Sequence, residues 1–331
     1  MPEARTDVIA IGNAIVDVMA PCQDELIEQL GLTRGGMTLV DEAQAQALYQ
    51  AMGPAREISG GSAANTLAGL AALGSRCAFI GQVADDQLGE VFAHDIRAGG
   101  IAFATPSRAG PPATARCLIF VTPDGQRTMN TFLGASQFLP PAVLDEAAIA
   151  DAKILYLEGY LWDPEEPRAA MRRAIGAARG AGRKVAFTLS DAFVIDRHGA
   201  DFRTMIEAGE IDILFANHVE LAALTGTDDF EAGIAELAPK LPTLVVTRGV
   251  DGAVALRGGE RAEVPAEPIA KVVDTTGAGD LFAAGFLHGT VNGRPLAECL
   301  TLGAVAAAEI ISHFGARPEA DLKALVAARL G

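Results

Sequence analysis

The sequence predicts an α/β fold, a three-layer sandwich in which helices cover both faces of a mostly parallel central sheet. Short apolar runs of β-type residues alternate with longer, alanine-rich stretches that are typical of helices. The runs are residues 8–11, 77–80, 154–157, 185–189, 211–215 and 244–246. With 331 residues, 50% of them hydrophobic, the chain is long enough to bury a large core. We therefore expect a single domain over residues 1–331.

Two stretches interrupt the alternation, residues 13–58 and residues 100–135. In the second, two β-type runs flank Thr-Pro-Asp-Gly-Gln at 122–126, and Pro-Asp-Gly between such runs predicts a hairpin. Ligands of open α/β sheets bind at the carboxyl ends of the strands. The two insertions are therefore predicted to form a small β-sheet lid that excludes water from this edge.

The charge and the termini exclude several classes of function. A formal net charge of −16 opposes binding to nucleic acid. No stretch approaches the roughly 20 apolar residues that span a bilayer, and the N-terminus lacks a basic region followed by an apolar stretch. The four cysteines form no Cys-x-x-Cys pair. We expect a cytoplasmic protein without a membrane or nucleic-acid partner.

The most informative segment is Asp-Thr-Thr-Gly-Ala-Gly-Asp at 274–280, followed by an apolar helical run. The glycines let a ligand approach the backbone, and the start of a helix offers free N–H groups to an anion. The amides of Gly277, Ala278 and Gly279 would then form an anion hole for a phosphoryl group, and Asp280 would accept the proton of an attacking hydroxyl. The helix start is expected to keep Asp280 ionised and therefore a weak base. Weak basicity is no obstacle, because phosphoryl transfer with a loose transition state depends more on positioning and charge neutralisation than on strong deprotonation.

A tight turn before an ordinary helix would also explain a lone Gly-x-Gly. The whole string, however, resembles the C-terminal signature of the PfkB/ribokinase family of small-molecule kinases. The resemblance covers nearly the full chain. Residues 188–193, 211–217 and 295–299 and Gly-Gly-Ser at 60–62 look like segments of the adenosine-kinase branch. It implies a ribokinase-like fold, ATP and Mg²⁺ as cofactors, and a small-molecule hydroxyl as acceptor.

Two N-terminal segments resemble the family's substrate-binding segments. Residues 59–68 contain Gly60, Gly61, Ser62 and Asn65 and match the core Gly-Gly-x-x-x-Asn. Residues 12–17 follow the first strand and resemble the segment in which Asn13 and Asp17 would bind sugar hydroxyls. A carboxylate at a strand end can bind two vicinal hydroxyls at once, so Asp17 is the stronger candidate.

Two further segments resemble parts of the family's nucleotide site. In Asn-His-Val-Glu at 217–220, Glu220 would act on Mg²⁺ through water, which suits an ion that keeps several waters. A solvated acid at a helix start is the alternative for this short motif. The expected ATP contacts are Asn217, Thr247, Gly249, Gly252 and Thr275. Asp274 and Thr276, near Gly315, match positions that in many relatives bind a monovalent cation, so K⁺ is a possible cofactor.

The resemblance implies transfer of the ATP γ-phosphoryl to the 5′-hydroxyl of a nucleoside, with adenosine as first choice. Met37, Phe132 and Tyr160 are the candidates to contact the base, although aromatic residues in such positions are more often part of the core. A homodimer through the lid is possible in this family.

Two alternatives stay open and a third is excluded. One is a sugar kinase of the same family, acting on ribose, fructose or a keto-acid sugar, and Arg116 or Arg127 in the hairpin would suit an acidic sugar. Another is a catalytically silent nucleoside-binding sensor, which would have no need of Asp280. A dinucleotide-binding dehydrogenase is excluded because the Gly-x-Gly lies near the C-terminus rather than after the first strand.

Overall fold

The computed structural model describes residues 4–331, which form fourteen strands and twelve α-helices. The strands are β1 Thr6–Ile11, β2 Ile15–Pro21, β3 Met37–Leu39, β4 Arg56–Gly60, β5 Cys77–Ile80, β6 Ile101–Phe103, β7 Ala115–Val121, β8 Arg127–Phe132, β9 Ala152–Glu158, β10 Lys184–Thr188, β11 Ile213–Asn217, β12 Thr243–Thr247, β13 Ala253–Arg257 and β14 Glu260–Val264. The helices are α1 Asp24–Gln29, α2 Glu42–Ala51, α3 Ser62–Ala72, α4 Gln87–Ala98, α5 Glu146–Ala150, α6 Glu165–Gly180, α7 Ala192–Glu207, α8 His218–Thr225, α9 Phe230–Leu237, α10 Ala278–Val291, α11 Leu296–Ile310 and α12 Leu322–Leu330.

Nine strands form the large sheet, in the order β14-β13-β12-β11-β10-β9-β1-β5-β6. Each of the six predicted runs contributes a parallel strand to it, with β11 beginning two residues later than predicted, which confirms the mostly parallel sheet. The antiparallel strands β13 and β14 extend one edge. Alternate residues of each strand feed the cores on the two faces: Val8 and Ala10 pack on one side, Ile9 and Ile11 on the other. This two-sided burial explains why the strand runs are continuously apolar.

The other five strands form a small sheet in the order β3-β8-β7-β2-β4. The predicted hairpin is confirmed, because β7 and β8 pair antiparallel around residues 122–126. One strand inside the interval 100–135 belongs elsewhere: β6 pairs with β5 in the large sheet, since the Phe103 ring packs 5.9 Å from that of Phe79 and 5.5 Å from that of Phe92. In addition, β4 extends beyond residue 58 to Gly60.

The small sheet has two unlike faces because strand residues alternate in direction. On β2, Val16 and Val18 are buried in the core with the helices, so Asp17 and Met19 lie on the opposite face. The register pairs Asp17 with Cys117 of β7. Asp17 therefore lies on the face that meets the carboxyl edge of the large sheet. Among the described residues, every α-helix is too short or too polar to cross a lipid bilayer.

Candidate active site

The glycine-rich turn ends at Gly277, the N-cap of α10, which has a φ of +79°. A Cβ at this position would lie 2.9 Å from the Cβ of Ala316, so both the backbone conformation and the close packing favour glycine. Asp280 follows in the first turn of the helix. The sequence thus places a carboxylate one turn into a helix whose first amides are free for a ligand.

Asp280 is held by the second glycine-rich segment. Oδ1 accepts a hydrogen bond of 2.6 Å from the hydroxyl of Ser62, and Oδ2 accepts one of 3.1 Å from Nδ2 of Asn65. Both donors lie on the first turn of α3, which packs closely against α10. The structure therefore brings together three residues that the sequence analysis assigned to one site.

Burial raises the pKa of Asp280, against the lowering effects of Ser62, Asn65 and the charge of Arg317. The direction is opposite to the one expected from the helix start, because loss of hydration outweighs the nearby donors. A raised pKa makes the carboxylate a stronger base than the sequence analysis assumed. It is therefore better suited to accept a proton from a hydroxyl.

The backbone amides beside Asp280 are only partly free. The N–H of Ala278 donates to the carbonyl of Thr275 at 3.2 Å. Within residues 4–331, the N–H groups of Gly277 and Gly279 have no such partner. Two of the three predicted amides are thus available to an anion at the helix start, where the helix dipole also favours negative charge.

Asp17 lies close enough to Asp280 to feel its charge, and its side chain packs against Gly60 of β4. A Cβ on Gly60 would come within 2.5 Å of Oδ2 of Asp17. Burial raises the pKa of Asp17 to about 6, although the positive charges of Arg127 and Arg317 act in the opposite direction. A small cavity of about 80 Å³ opens here, lined by Asp17, Met19, Ile58, Asn65, Ala316 and Arg317 among others.

Asn13 makes its hydrogen bonds to buried groups of the protein and does not line the cavity beside Asp17. Its backbone N–H and its Nδ2 both donate to Oε1 of Glu158 at 2.7 Å, and its Oδ1 accepts from Ser136. Oε2 of Glu158 accepts from the N–H of Ala63. At Gly61, with a φ of +94°, a Cβ would lie 2.2 Å from the carbonyl oxygen of Asn13. Asn13 and Gly61 thus support the start of α3, which carries Ser62 and Asn65, and do not themselves face the cavity.

Glu158 was not identified in the sequence analysis as a functional residue. It ends β9, is fully buried, and its burial raises its pKa to about 7. The available signal was an acid at the end of a parallel strand, the position that ligands approach in this fold class. Its three N–H donors hold the segments that carry Asn13 and the start of α3.

A second cavity, of about 310 Å³, lies beyond the helix start and is large enough for a small ligand. Four of the five predicted ATP contacts line it together with Gly279, namely Thr247, Gly249, Gly252 and Thr275. The rest of the wall is largely apolar and includes Val250 and Val272 from loops, Phe282 from α10 and Ala304 from α11. Such a wall suits the flat face of a purine.

Asn217, the fifth predicted ATP contact, caps α8 instead of lining this cavity. Its side chain accepts from the N–H of Glu220, while the two Glu220 oxygens accept from Nδ2 and the backbone N–H of Asn217 at 2.7 and 3.0 Å. Glu220 is buried rather than solvated, which raises its pKa to about 7. Across residues 4–331, no three acidic, histidine or cysteine side chains cluster tightly enough to hold a metal.

Asp274, the predicted cation ligand, is paired with a guanidinium. Arg127 of β8 forms a buried ion pair with it, and the N–H groups of Thr276 and Gly315 donate to it at 3.0 and 3.1 Å. From the sequence, Arg127 is predicted only as a contact for an acidic sugar. The pair joins residues 147 positions apart, so no local sequence pattern predicts it.

The three candidate base contacts lie in different places. Phe132 pairs with Arg116 on β7, and its ring lies 5.8 Å from that guanidinium, on the face of the small sheet away from Asp17. Met37 lies on the edge strand β3 and is 46% exposed. Tyr160 packs against Phe193 beyond the end of β9. Burial raises the pKa of Tyr160, and the charges of Asp191 and Asp280 raise it further.

The sequence profile of the pfkB family carbohydrate kinases matches residues 7–322. The chain belongs to this family. PfkB-family kinases transfer a phosphoryl group from ATP to a hydroxyl of a sugar or nucleoside, so the protein is a phosphotransferase with an alcohol acceptor.

Solved and curated relatives agree on the fold. Adenosine kinase from Sinorhizobium meliloti is 49% identical, with a TM-score of 0.90 and 99% of each chain covered. A probable sugar kinase from Rhizobium etli is 46% identical, also with a TM-score of 0.90, over 99% of this chain and 98% of that one. Fructokinase from Klebsiella pneumoniae is 30% identical over 77% of this chain and 84% of its own. The predicted ribokinase-like fold is confirmed.

Proposed function

We propose that this pfkB-family kinase transfers the γ-phosphoryl of ATP to the 5′-hydroxyl of a nucleoside, with adenosine as the first candidate. The observation that carries the proposal is the position of Asp280. Its chain neighbour Gly279 lines the apolar cavity near Thr247 and Thr275, and its hydrogen-bond partner Asn65 lines the polar cavity near Asp17. A nucleotide in the first and a hydroxylated substrate in the second would meet at this carboxylate.

The proposed reaction is an in-line phosphoryl transfer. Asp280 accepts the proton of the 5′-hydroxyl, the oxygen forms a bond to the γ-phosphorus, and the bond to the β-phosphate oxygen breaks to release ADP. The free amides of Gly277 and Gly279 bind the equatorial oxygens of the transferring group. The raised pKa of Asp280 supports its role as the base.

The wall around Asp17 supports a nucleoside. Asp17 and Asn65 would bind the ribose hydroxyls, and a carboxylate at this place rejects analogues that lack them. Next to Asp17 the same face of the sheet carries Met19 and Cys117, and Cys117 is close enough for the charge of Asp17 to help raise its pKa. These two apolar side chains would accept the base rather than further hydroxyls.

A sugar kinase is the second candidate, and the 46% identity to the Rhizobium etli protein, described as a probable sugar kinase, favours it. The two predicted arginines already have partners within the protein, whereas a third arginine, Arg317, lines the cavity beside Asp17. Arg116 lies on the far face of the small sheet, between the rings of Tyr49 and Phe132. Arg127 is paired with Asp274.

Mg²⁺ would bind through the phosphates of ATP, with Glu220 acting on a bound water. This fits the structure, because Glu220 is a buried carboxylate at the carboxyl edge of the sheet and the residues described form no closed metal site. The ion supplies charge neutralisation for the γ-phosphoryl. The residues do not fit a free K⁺ beside Asp274, whose partners are a guanidinium and two N–H groups.

The small sheet would act as the lid and as the contact surface of a homodimer. Its edge strand β3 exposes two large apolar side chains, Met37 at 46% and Leu39 at 55%. An edge strand with exposed apolar side chains is a ready surface for another strand. Analytical ultracentrifugation of the wild type and of Leu39→Glu tests this, because the charge is expected to shift a dimer to monomer.

The substrate is tested by measuring ADP release with Mg-ATP across adenosine, other nucleosides, ribose, fructose and a keto-acid sugar. We expect turnover with a nucleoside, and ³¹P NMR of the product should show a phosphate ester on the 5′-oxygen. Turnover with a free sugar alone would retain the reaction and reject the nucleoside. Substrate binding without any turnover would favour a sensor.

A further inference from the structure

The surroundings of Asp274 are unusual for a carboxylate beside an anion site. Its side chain accepts from Arg127, from the N–H of Thr276 and from the N–H of Gly315. Both members of the ion pair are buried, with side-chain exposures of 7% for Arg127 and 6% for Asp274. The negative charge of Asp274 is therefore balanced within the fold.

A monovalent cation at this place would need a shell of oxygen atoms. Here the partners of the carboxylate are N–H donors with a full or partial positive charge, and a cation would be repelled by the guanidinium. The same guanidinium extends to Met19, with Nη2 lying 3.7 Å from the sulfur atom, so it occupies the space between the small sheet and the turn.

We infer that the Arg127 guanidinium takes the place of a monovalent cation beside Asp274, so that the kinase works without K⁺. It keeps a positive charge next to the turn that runs from Asp274 to Gly277 and leads into α10, where the amides for the transferring phosphoryl lie. It also links β8 of the small sheet to that turn. Arg127 is thus a positioning residue, acting on the anion hole through Asp274.

The test has two measurements. Initial rates rest on the proposed kinase function, whereas thermal melting does not. For the wild type, initial rates and thermal melting are compared in chloride salts of K⁺, Na⁺ and tetramethylammonium at equal ionic strength. We expect kcat/KM to differ less than about twofold among the salts, since no cation acts in the anion hole. Activation of the wild type by K⁺, or a melting temperature that rises with K⁺ alone, would overturn the inference.

Arg127→Ala leaves Asp274 without its partner and opens space beside it. We expect kcat/KM of this variant to fall at least about tenfold in tetramethylammonium and to recover in part in K⁺. Its melting temperature is also expected to rise with K⁺ relative to tetramethylammonium. Arg127→Lys retains a positive charge and is expected to stay independent of K⁺.

Arg116→Ala is the matched control, because Arg116 is an equally buried arginine of the small sheet that lies on the opposite face. Among the described residues it forms no ion pair. We expect no specific response to K⁺ from this variant. An equal response of both alanine variants, or no response of Arg127→Ala to K⁺, would show that Arg127 only supports packing.

Discussion

The hydroxyl of Ser62 donates a hydrogen bond of 2.6 Å to Oδ1 of Asp280, across 218 positions of the chain. It joins the first turns of α3 and α10, each preceded by a glycine with a positive φ, Gly61 and Gly277. The contact sets the direction of the carboxylate. It also stabilises the ionised form, which is the form that accepts a proton.

Ser62→Ala is expected to move the acidic limb of the pH profile of kcat/KM to higher pH. The lost hydrogen bond stabilised the charged form of Asp280, so its pKa rises and more of the base is protonated below the limb. Initial rates over a pH series measure the shift. Thr66→Val is the control, since it removes a hydroxyl of the same helix that bonds to the carbonyl of Ser62 instead. An unmoved limb would argue against Asp280 as the titrating base.

Gly60→Ala is expected to raise KM for the phosphoryl acceptor while the protein stays folded. The new Cβ would lie 2.5 Å from Oδ2 of Asp17, so this carboxylate must move away from the substrate. We expect a loss in kcat/KM of about 10²-fold, as for a misplaced positioning group. Gly53→Ala is the matched control, because nothing lies within 4 Å of its added Cβ. Equal KM values for both variants would separate Asp17 from substrate binding.

Asp17→Asn is expected to stabilise the protein at neutral pH. The pKa of Asp17 is raised from 3.8 to about 6, so its contribution to stability is fully present below 3.8 and is lost as pH rises through 6. Asparagine avoids the buried charge, which gives a gain on the order of 2 kcal/mol at pH 7.5 and little at pH 4.

Urea unfolding of the wild type and of Asp17→Asn at these two pH values measures the gain. Asp228→Asn is the control, because it removes the same charge from an exposed loop residue. The difference between wild type and Asp17→Asn should shrink as pH falls. A gain independent of pH would mean that burial of the charge is not its cause.

Two substitutions separate the roles of Glu220. Glu220→Gln retains an oxygen that accepts from Asn217 but removes the charge, so we expect a small change in melting temperature and a higher Mg²⁺ concentration for half-maximal activity. Glu220→Ala also removes the Glu220 half of the capping box of α8, while Asn217 remains the N-cap, and we expect a loss of stability of up to about 1 kcal/mol. An unchanged Mg²⁺ requirement in Glu220→Gln would mean that Glu220 does not act on Mg²⁺ and serves only in the capping box of α8.

The sequence predicted those parts of the molecule that depend on local pattern. The six parallel strands follow from continuous apolar runs, and the hairpin follows from Pro-Asp-Gly at 123–125. The glycine-rich turns place Asp280 and Asn65 at helix starts, and the fold brings the two helices together. The strands, the hairpin and the glycine-rich turns each depend on a few neighbouring residues, so they are visible in one sequence.

The missed features depend on residues that are far apart in the chain. The pair Arg127–Asp274 requires the small sheet to close on the turn before α10, and the pKa of Glu158 depends on complete burial. Phe132 was assigned to the base, although it lies on the face away from Asp17. Alternate residues of β8 point to opposite faces of the small sheet. The face that Phe132 occupies becomes known only once the register with β7 is fixed.

The central claim is that Asp280 accepts the proton during phosphoryl transfer, and Asp280→Asn tests it most directly. ADP release with Mg-ATP and the best acceptor is measured for wild type and variant, with acceptor binding followed by calorimetry. We predict that turnover falls by about 10²–10⁴-fold while the acceptor still binds, since asparagine retains an oxygen that can accept from Ser62. Turnover within a few-fold of wild type would contradict the account.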